Sequence, residues 1–129
     1  RCLSRGLGDV YKRQDIYIVN TYGEMSKFLR LSNVTFIGGS LVNHGGQNPL
    51  EAVRMGNYVM HGKKVNNFKE IYKELKSLKI SSEIKNIDQM EKVFVKNHNY
   101  KISNSKLNKI NYLGAKIFEN NVKEIKNYL

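Results

Sequence analysis

Three short, continuous runs of β-branched and aromatic residues constrain this chain more than any other feature: Ile16-Tyr17-Ile18-Val19, Val34-Thr35-Phe36-Ile37 and Tyr58-Val59-Met60. The first is a continuous apolar run, the pattern of a strand buried on both faces, and the other two are read as a second and a third strand. The segments around them change period. Met25, Phe28, Leu29 and Ser32 fall at i, i+3, i+4, i+7 and predict a helix from Glu24 to about Asn33. Asn48-Pro49-Leu50-Glu51 opens a second helix running to Gly56, and Phe68, Ile71, Tyr72, Leu75 and Leu78 mark a third. A short strand is expected at 83–87, then a helix capped by Asp88 carrying Met90, Val93 and Phe94. Leu107, Ile110, Leu113, Ile117, Val122, Ile125 and Leu129 mark one or two closing helices. Strand and helix alternate throughout, which predicts an α/β, Rossmann-like parallel sheet with helices on both faces.

At 129 residues the chain is one domain or a piece of something larger. No apolar run approaches the ~20 residues of a membrane span. The single cysteine, Cys2, excludes a disulfide framework and any cysteine-based zinc site, so the chemistry is cytosolic in character. His44 stands alone in a loop, with His61 and His98 distant from it, so neither a metal nor a cofactor is expected.

The formal net charge is +11, which raises nucleic acid or an anionic membrane as a partner. Its distribution weakens the first. Residues 1–14 carry four cations against Asp9, residues 15–61 balance to zero, and residues 62–129 set 15 lysines against seven acids. The tail excess reads as a solvated helical surface, and no nucleic-acid partner is expected. Residues 1–14 (RCLSRGLGDVYKRQ) show neither period, lack a signal peptide's apolar core and look like translated adapter sequence. They are expected to be a non-native, disordered leader, with the domain at 15–129 and its chain truncated before Asp15.

The neutral segment holds six of the ten glycines and the only proline, Pro49. In an open α/β sheet, ligands sit at the carboxyl ends of the strands, where loops meet helix starts. Two such loops qualify. After the first predicted strand comes Thr21-Tyr22-Gly23-Glu24-Met25, where Gly23 permits close backbone approach and the helix start offers N–H groups to an anion. After the second, Gly38-Gly39-Ser40 and His44-Gly45-Gly46-Gln47 form a long flexible loop leading into Asn48 to Glu51. Glu24 and Glu51 suit the hydroxyls of a ribose or sugar. Each reads equally well as a structural group: Glu24 as an acid on its helix dipole, Glu51 as the acid of a capping box with Asn48 as cap and Pro49 at the first helical position. Met25, Phe28 and Leu29 read as core. No Ser-His-Asp order, P-loop or G-x-G-x-x-G is present, so the residues alone point to a nucleotide- or sugar-binding half-site.

Gly23-Glu24-Met25, Gly38-Gly39-Ser40-Leu41-Val42, Gly45-Gly46-Gln47-Asn48-Pro49-Leu50-Glu51 and Asn67-Phe68, in that order and spacing, resemble the C-terminal domain of 3-deoxy-D-manno-octulosonic acid (Kdo) transferases. The likeness covers roughly residues 15–129 and weakens through the lysine-rich tail. It implies half of a two-Rossmann-domain (GT-B) glycosyltransferase that transfers Kdo from CMP-Kdo to the lipid A precursor at the cytoplasmic face of the bacterial inner membrane, without a metal. It further implies that Gly23, Glu24, Met25, Asn48, Pro49, Leu50 and Glu51 contact CMP, with Gly39, Ser40, Gly46 and Gln47 in support. Many members have Pro at the position of Asn43 and His at that of Gln47, so Gln47 is expected to contact rather than to carry a proton. The family's catalytic base, a Glu of the N-terminal domain, and a CMP-binding Pro-Arg pair have no counterpart here. The resemblance therefore implies no catalytic residue in this chain, which would be inactive alone with at most weak CMP affinity. Two other readings stand beside it: the donor domain of another GT-B enzyme, and a basic, non-catalytic nucleic-acid module.

Overall fold

The structure, a computed structural model, describes residues 16–127. The expectations for residues 1–14 lie outside the described residues. The elements run α1 (Met25–Leu31), β1 (Val34–Ile37), α2 (Leu50–Arg54), β2 (Tyr58–His61), a single 3₁₀ turn (Asn66–Phe68), α3 (Lys69–Ser77), β3 (Ser81–Glu83), α4 (Ile87–Asn97) and α5 (Asn104–Asn127). The three strands form one parallel sheet in the order β1-β2-β3. In register, Val34 lies opposite Tyr58 and Val59 opposite Ser81.

All four residues of β2 are buried. Successive side chains of a strand point to opposite faces, so both faces of the sheet are covered. On one face the His61 ring lies 4.4 Å from that of Tyr72 on α3; on the other, Tyr58 meets Tyr100 edge-on at 5.2 Å. The expected Rossmann-like α/β architecture is present. Its core joins Leu29, Ile37, Ala52, Val53, Val59, Leu75, Ile80 and Ile110. Completely burying side chains such as Leu75 and Ile80 contributes about 1.5–3 kcal/mol each. The α3 stripe forms as spaced, with Tyr72 and Leu75 inward. The closing segment is one 24-residue helix that buries Ile110 and packs on α2.

Asn57, fully buried, ties three elements together. Its Nδ2 donates to the Leu29 carbonyl at the end of α1 (2.6 Å), while its Oδ1 accepts from Ser32 (2.6 Å) and from Thr35 of β1 (2.7 Å).

Several expectations need correction. Residues 16–19 form no strand, and Ile16 and Ile18 are 77% and 73% exposed. A continuous apolar run shows that a segment could be buried on both faces; it does not supply the neighbour a parallel ladder requires. The outer edge of β1 has no strand beside it among the described residues, and Tyr17 instead stacks on Phe28 at 5.7 Å. Of Met25, Phe28 and Leu29, only Leu29 is buried, because a two-turn helix at this corner turns one residue to the core. The third strand lies at Ser81–Glu83, earlier than expected. Asn86, not Asp88, caps α4, its side chain accepting from Gln89 N at 2.9 Å.

Candidate functional site

The carboxyl ends of β1 and β2 lead into two segments that hold each other. Ser40, fully buried, donates from its hydroxyl to the Ile37 carbonyl (2.6 Å) and accepts from Gly62 N (2.8 Å), while its carbonyl accepts from Lys64 N (2.8 Å). Gly46 N donates to the Gly39 carbonyl, Asn67 N to that of Gly45, and the Tyr72 hydroxyl to that of Gln47 (2.9 Å). The loop expected to be long and flexible is therefore stapled to residues 62–67 and to α3. Two supporting contacts change meaning with it. The Ser40 hydroxyl is spent inside the protein, so Ser40 braces the loop. Gly46, at φ +75°, is buried where a Cβ would lie 3.2 Å from Lys64 O, so its missing side chain admits another stretch of chain rather than a ligand. The same packing singles out Gly62, where a Cβ would collide with the Ser40 carbonyl. Gly62→Ala is expected to destabilise the chain by about 2–3 kcal/mol in urea titrations; an unchanged midpoint would show that the two segments are not held as described.

At the second helix start, Asn48 Oδ1 accepts from Leu50 N at 3.0 Å, and α2 begins at Leu50. The side chains of Pro49 and Leu50 are buried and anchor the turn. Glu51 is exposed, and its carboxylate has no hydrogen bond or ion pair among the described residues. The capping box read from the sequence does not form: Pro49, not Asn48, is the residue at the cap, α2 starts one residue later than expected, and Asn48 bonds only Leu50 N. Gln47 and Asn48 are exposed beside Glu51.

At the first helix start, Gly23 has φ +82° with open space where a Cβ would stand. Gly23 and Met25 line a cavity of about 450 Å³ with Asn20, Thr21, Tyr22 and Phe28. The Glu24 carboxylate accepts from Thr21 Oγ1 (2.6 Å) and pairs with Lys27 Nζ (3.2 Å). The Thr21 hydrogen bond and the Lys27 ammonium hold it below the usual carboxylate range. Helices α1 and α2 pack together, which sets the two stretches on neighbouring elements; residues 48–51 do not line the cavity at Gly23.

His61, at the carboxyl end of β2, carried no weight in the sequence as a lone histidine. It is 6% exposed and its Nδ1 lies 2.8 Å from the Gly62 carbonyl, which can only accept, so Nδ1 carries the proton. Burial pushes its pKa below the ordinary value, opposed by the Gly62 bond and by Glu83 and reinforced by Lys76. The unfolded chain thus takes up a proton on this group before the folded one does, and stability falls as pH drops below about 6.5. His61→Gln is expected to flatten the melting-temperature profile between about pH 7 and 5; an identical slope in both proteins would contradict this. Among the described residues no group of three His, Cys, Asp or Glu side chains could hold a metal ion.

A parallel sheet with helices on both faces and its strand-end loops locked together defines a Rossmann-like α/β domain. A 3-deoxy-D-manno-octulosonic acid transferase of Rickettsia bellii is 30% identical over 135 residues, covering 98% of this chain and 28% of that protein. One from Haemophilus influenzae is 40% identical over 60 residues, covering 46% of this chain and 14% of its own length. A bifunctional glycosyltransferase/methyltransferase of Fusobacterium nucleatum is 32% identical over 96 residues, covering 74% of this chain and 15% of that protein. No family model matches. The chain belongs to the 3-deoxy-D-manno-octulosonic acid transferase family, whose members are glycosyltransferases, and it spans less than a third of the length of these relatives.

Proposed function

We propose that this chain is the donor-binding domain of a Kdo transferase, taking CMP-Kdo through Gly23, Glu24, Met25, Asn48, Pro49, Leu50 and Glu51. The observation that carries the reading is the unpartnered, exposed carboxylate of Glu51, set beside Asn48 on an anchored helix start. A carboxylate accepts two hydrogen bonds from vicinal ribose hydroxyls without rearranging anything in the protein. Glu24, held charged by Thr21 and Lys27, supplies a second fixed acceptor near the Gly23 backbone. The net neutrality of residues 15–61 suits a monophosphate donor better than a diphosphate, which needs more cationic help. Gln47, exposed with its carbonyl taken by Tyr72, keeps its side-chain amide for the donor.

In this reading the acceptor, the lipid A precursor, and the catalytic base belong to an N-terminal domain, and no metal takes part. The enzyme works at the cytoplasmic face of the inner membrane, with the lysine-rich surface against anionic lipid headgroups. No helix among the described residues is long and apolar enough to cross a membrane. Amide shifts of the labelled chain titrated with CMP test the site. The expected shifts fall at residues 23–25 and 47–51; shifts confined to other segments would refute the assignment.

A further inference from the structure

The outer edge of β3 carries a second site that the donor reading does not use. Ile80 O and Ile84 N both bond to β2, so the intervening alternation turns the backbone groups of Ser81 and Glu83 toward the open edge of the sheet. Along that edge runs a cavity of about 420 Å³ between α3 and α4, lined by Lys76, Lys85 and Lys92 together with Ser81, Glu83 and Gln89. None of the three lysines has an ion-pair partner among the described residues, although Glu83 stands in the same wall. The Ser81 hydroxyl is buried with no hydrogen-bond partner, whereas that of Ser82 is taken by Tyr58 at 2.7 Å. Three lysines without ion-pair partners and outward backbone N–H groups share one wall, and an anion satisfies both.

We infer that this cavity binds a phosphate group. The cationic lining is all lysine, whose ammonium groups act as point charges that a phosphate dianion engages. The volume admits a phosphate with a glycerol- or sugar-sized substituent. Glu83, in the same wall, opposes an anion, and the three lysines outnumber it. The site shares no residue with the two stretches assigned to the donor and stands whether or not that assignment holds.

The phosphate arrives either on a soluble monoester or on a lipid headgroup, and one set of measurements separates the sources. The full 129-residue chain is titrated at constant ionic strength with inorganic phosphate and glycerol 3-phosphate, following amide shifts, and is sedimented with phosphatidylcholine vesicles containing phosphatidylglycerol. The expected result is saturating shifts at residues 81–85 and 89–92, with affinity falling about tenfold in a Lys85→Gln/Lys92→Gln double variant. Both lysines are exposed, so the variant keeps the fold. Vesicle binding that the double variant loses, without saturating shifts from soluble phosphate, assigns the site to a lipid headgroup. Equal shifts from sulfate or chloride, or no saturation together with vesicle binding unchanged by the variant, would overturn the inference.

Discussion

Glu51→Ala is expected to abolish CMP binding while leaving the melting temperature unchanged. The two halves of that result have separate causes. Glu51 is exposed on α2 with no partner among the described residues, and the better helix propensity of alanine offsets the small loss of a first-turn acid on the helix dipole. The hydrogen bond from Leu50 N to Asn48 at the start of α2 is unaffected, because Glu51 takes no part in it. On the ligand side, the substitution removes hydrogen bonds from ribose hydroxyls to a charged acceptor, worth about 1.5–3 kcal/mol, or roughly 10- to 150-fold in affinity. An affinity that is weak in the isolated domain then falls below detection. Glu51→Gln, which keeps the shape and one acceptor oxygen, is expected to lose less. Parallel calorimetric titrations and thermal melts check the pair. Undiminished binding by the alanine variant would return Glu51 to a solvated helix residue.

The largest effect on stability is expected at Asn57, first of all from Asn57→Ala. The substitution removes the Asn57 bonds to the Leu29 carbonyl and to the Ser32 and Thr35 hydroxyls, leaving only the 3.4 Å bond from Ser32 to Leu29, and opens a small void where the amide stood. One unsatisfied buried polar group costs about 1–3 kcal/mol, and the void adds to it, so a loss of roughly 3–5 kcal/mol is expected. Domains of this kind have only about 5–15 kcal/mol in total, so a large unfolded population should be visible by circular dichroism at room temperature. Asn57→Asp, which turns a buried carboxylate toward the Leu29 carbonyl, is expected to cost at least as much. A urea midpoint for the alanine variant within about 1 kcal/mol of the parent would mean that Asn57 does not organise the junction of α1, β1 and β2.

What the residues disclosed in advance followed from local physics. The α3 stripe of Ile71, Tyr72, Leu75 and Leu78, the buried β2 and the turn into α2 at Asn48 and Pro49 are all set by spacing within a few positions. Asn57 was invisible for the opposite reason, since its partners lie 22 to 28 positions away. The same holds for Ser40, whose hydroxyl accepts from Gly62 N, 22 positions on. Glycines mislead in their own way: Gly23 and Gly46 both have positive φ, but one faces open space and the other faces the backbone of residues 64 and 65. Composition shows that a side chain is missing, not what fills its place. Ile16 to Val19 failed because apolar continuity cannot report whether a neighbouring strand is there to pair with.

The donor assignment rests most directly on which nucleotide the chain prefers. Isothermal titration of the 129-residue chain with CMP, CMP-Kdo and UDP at equal ionic strength decides it. The account predicts that CMP binds weakly and competes with CMP-Kdo for one site, and that UDP gives no heat above dilution. Tight binding of UDP, with CMP silent, would contradict it.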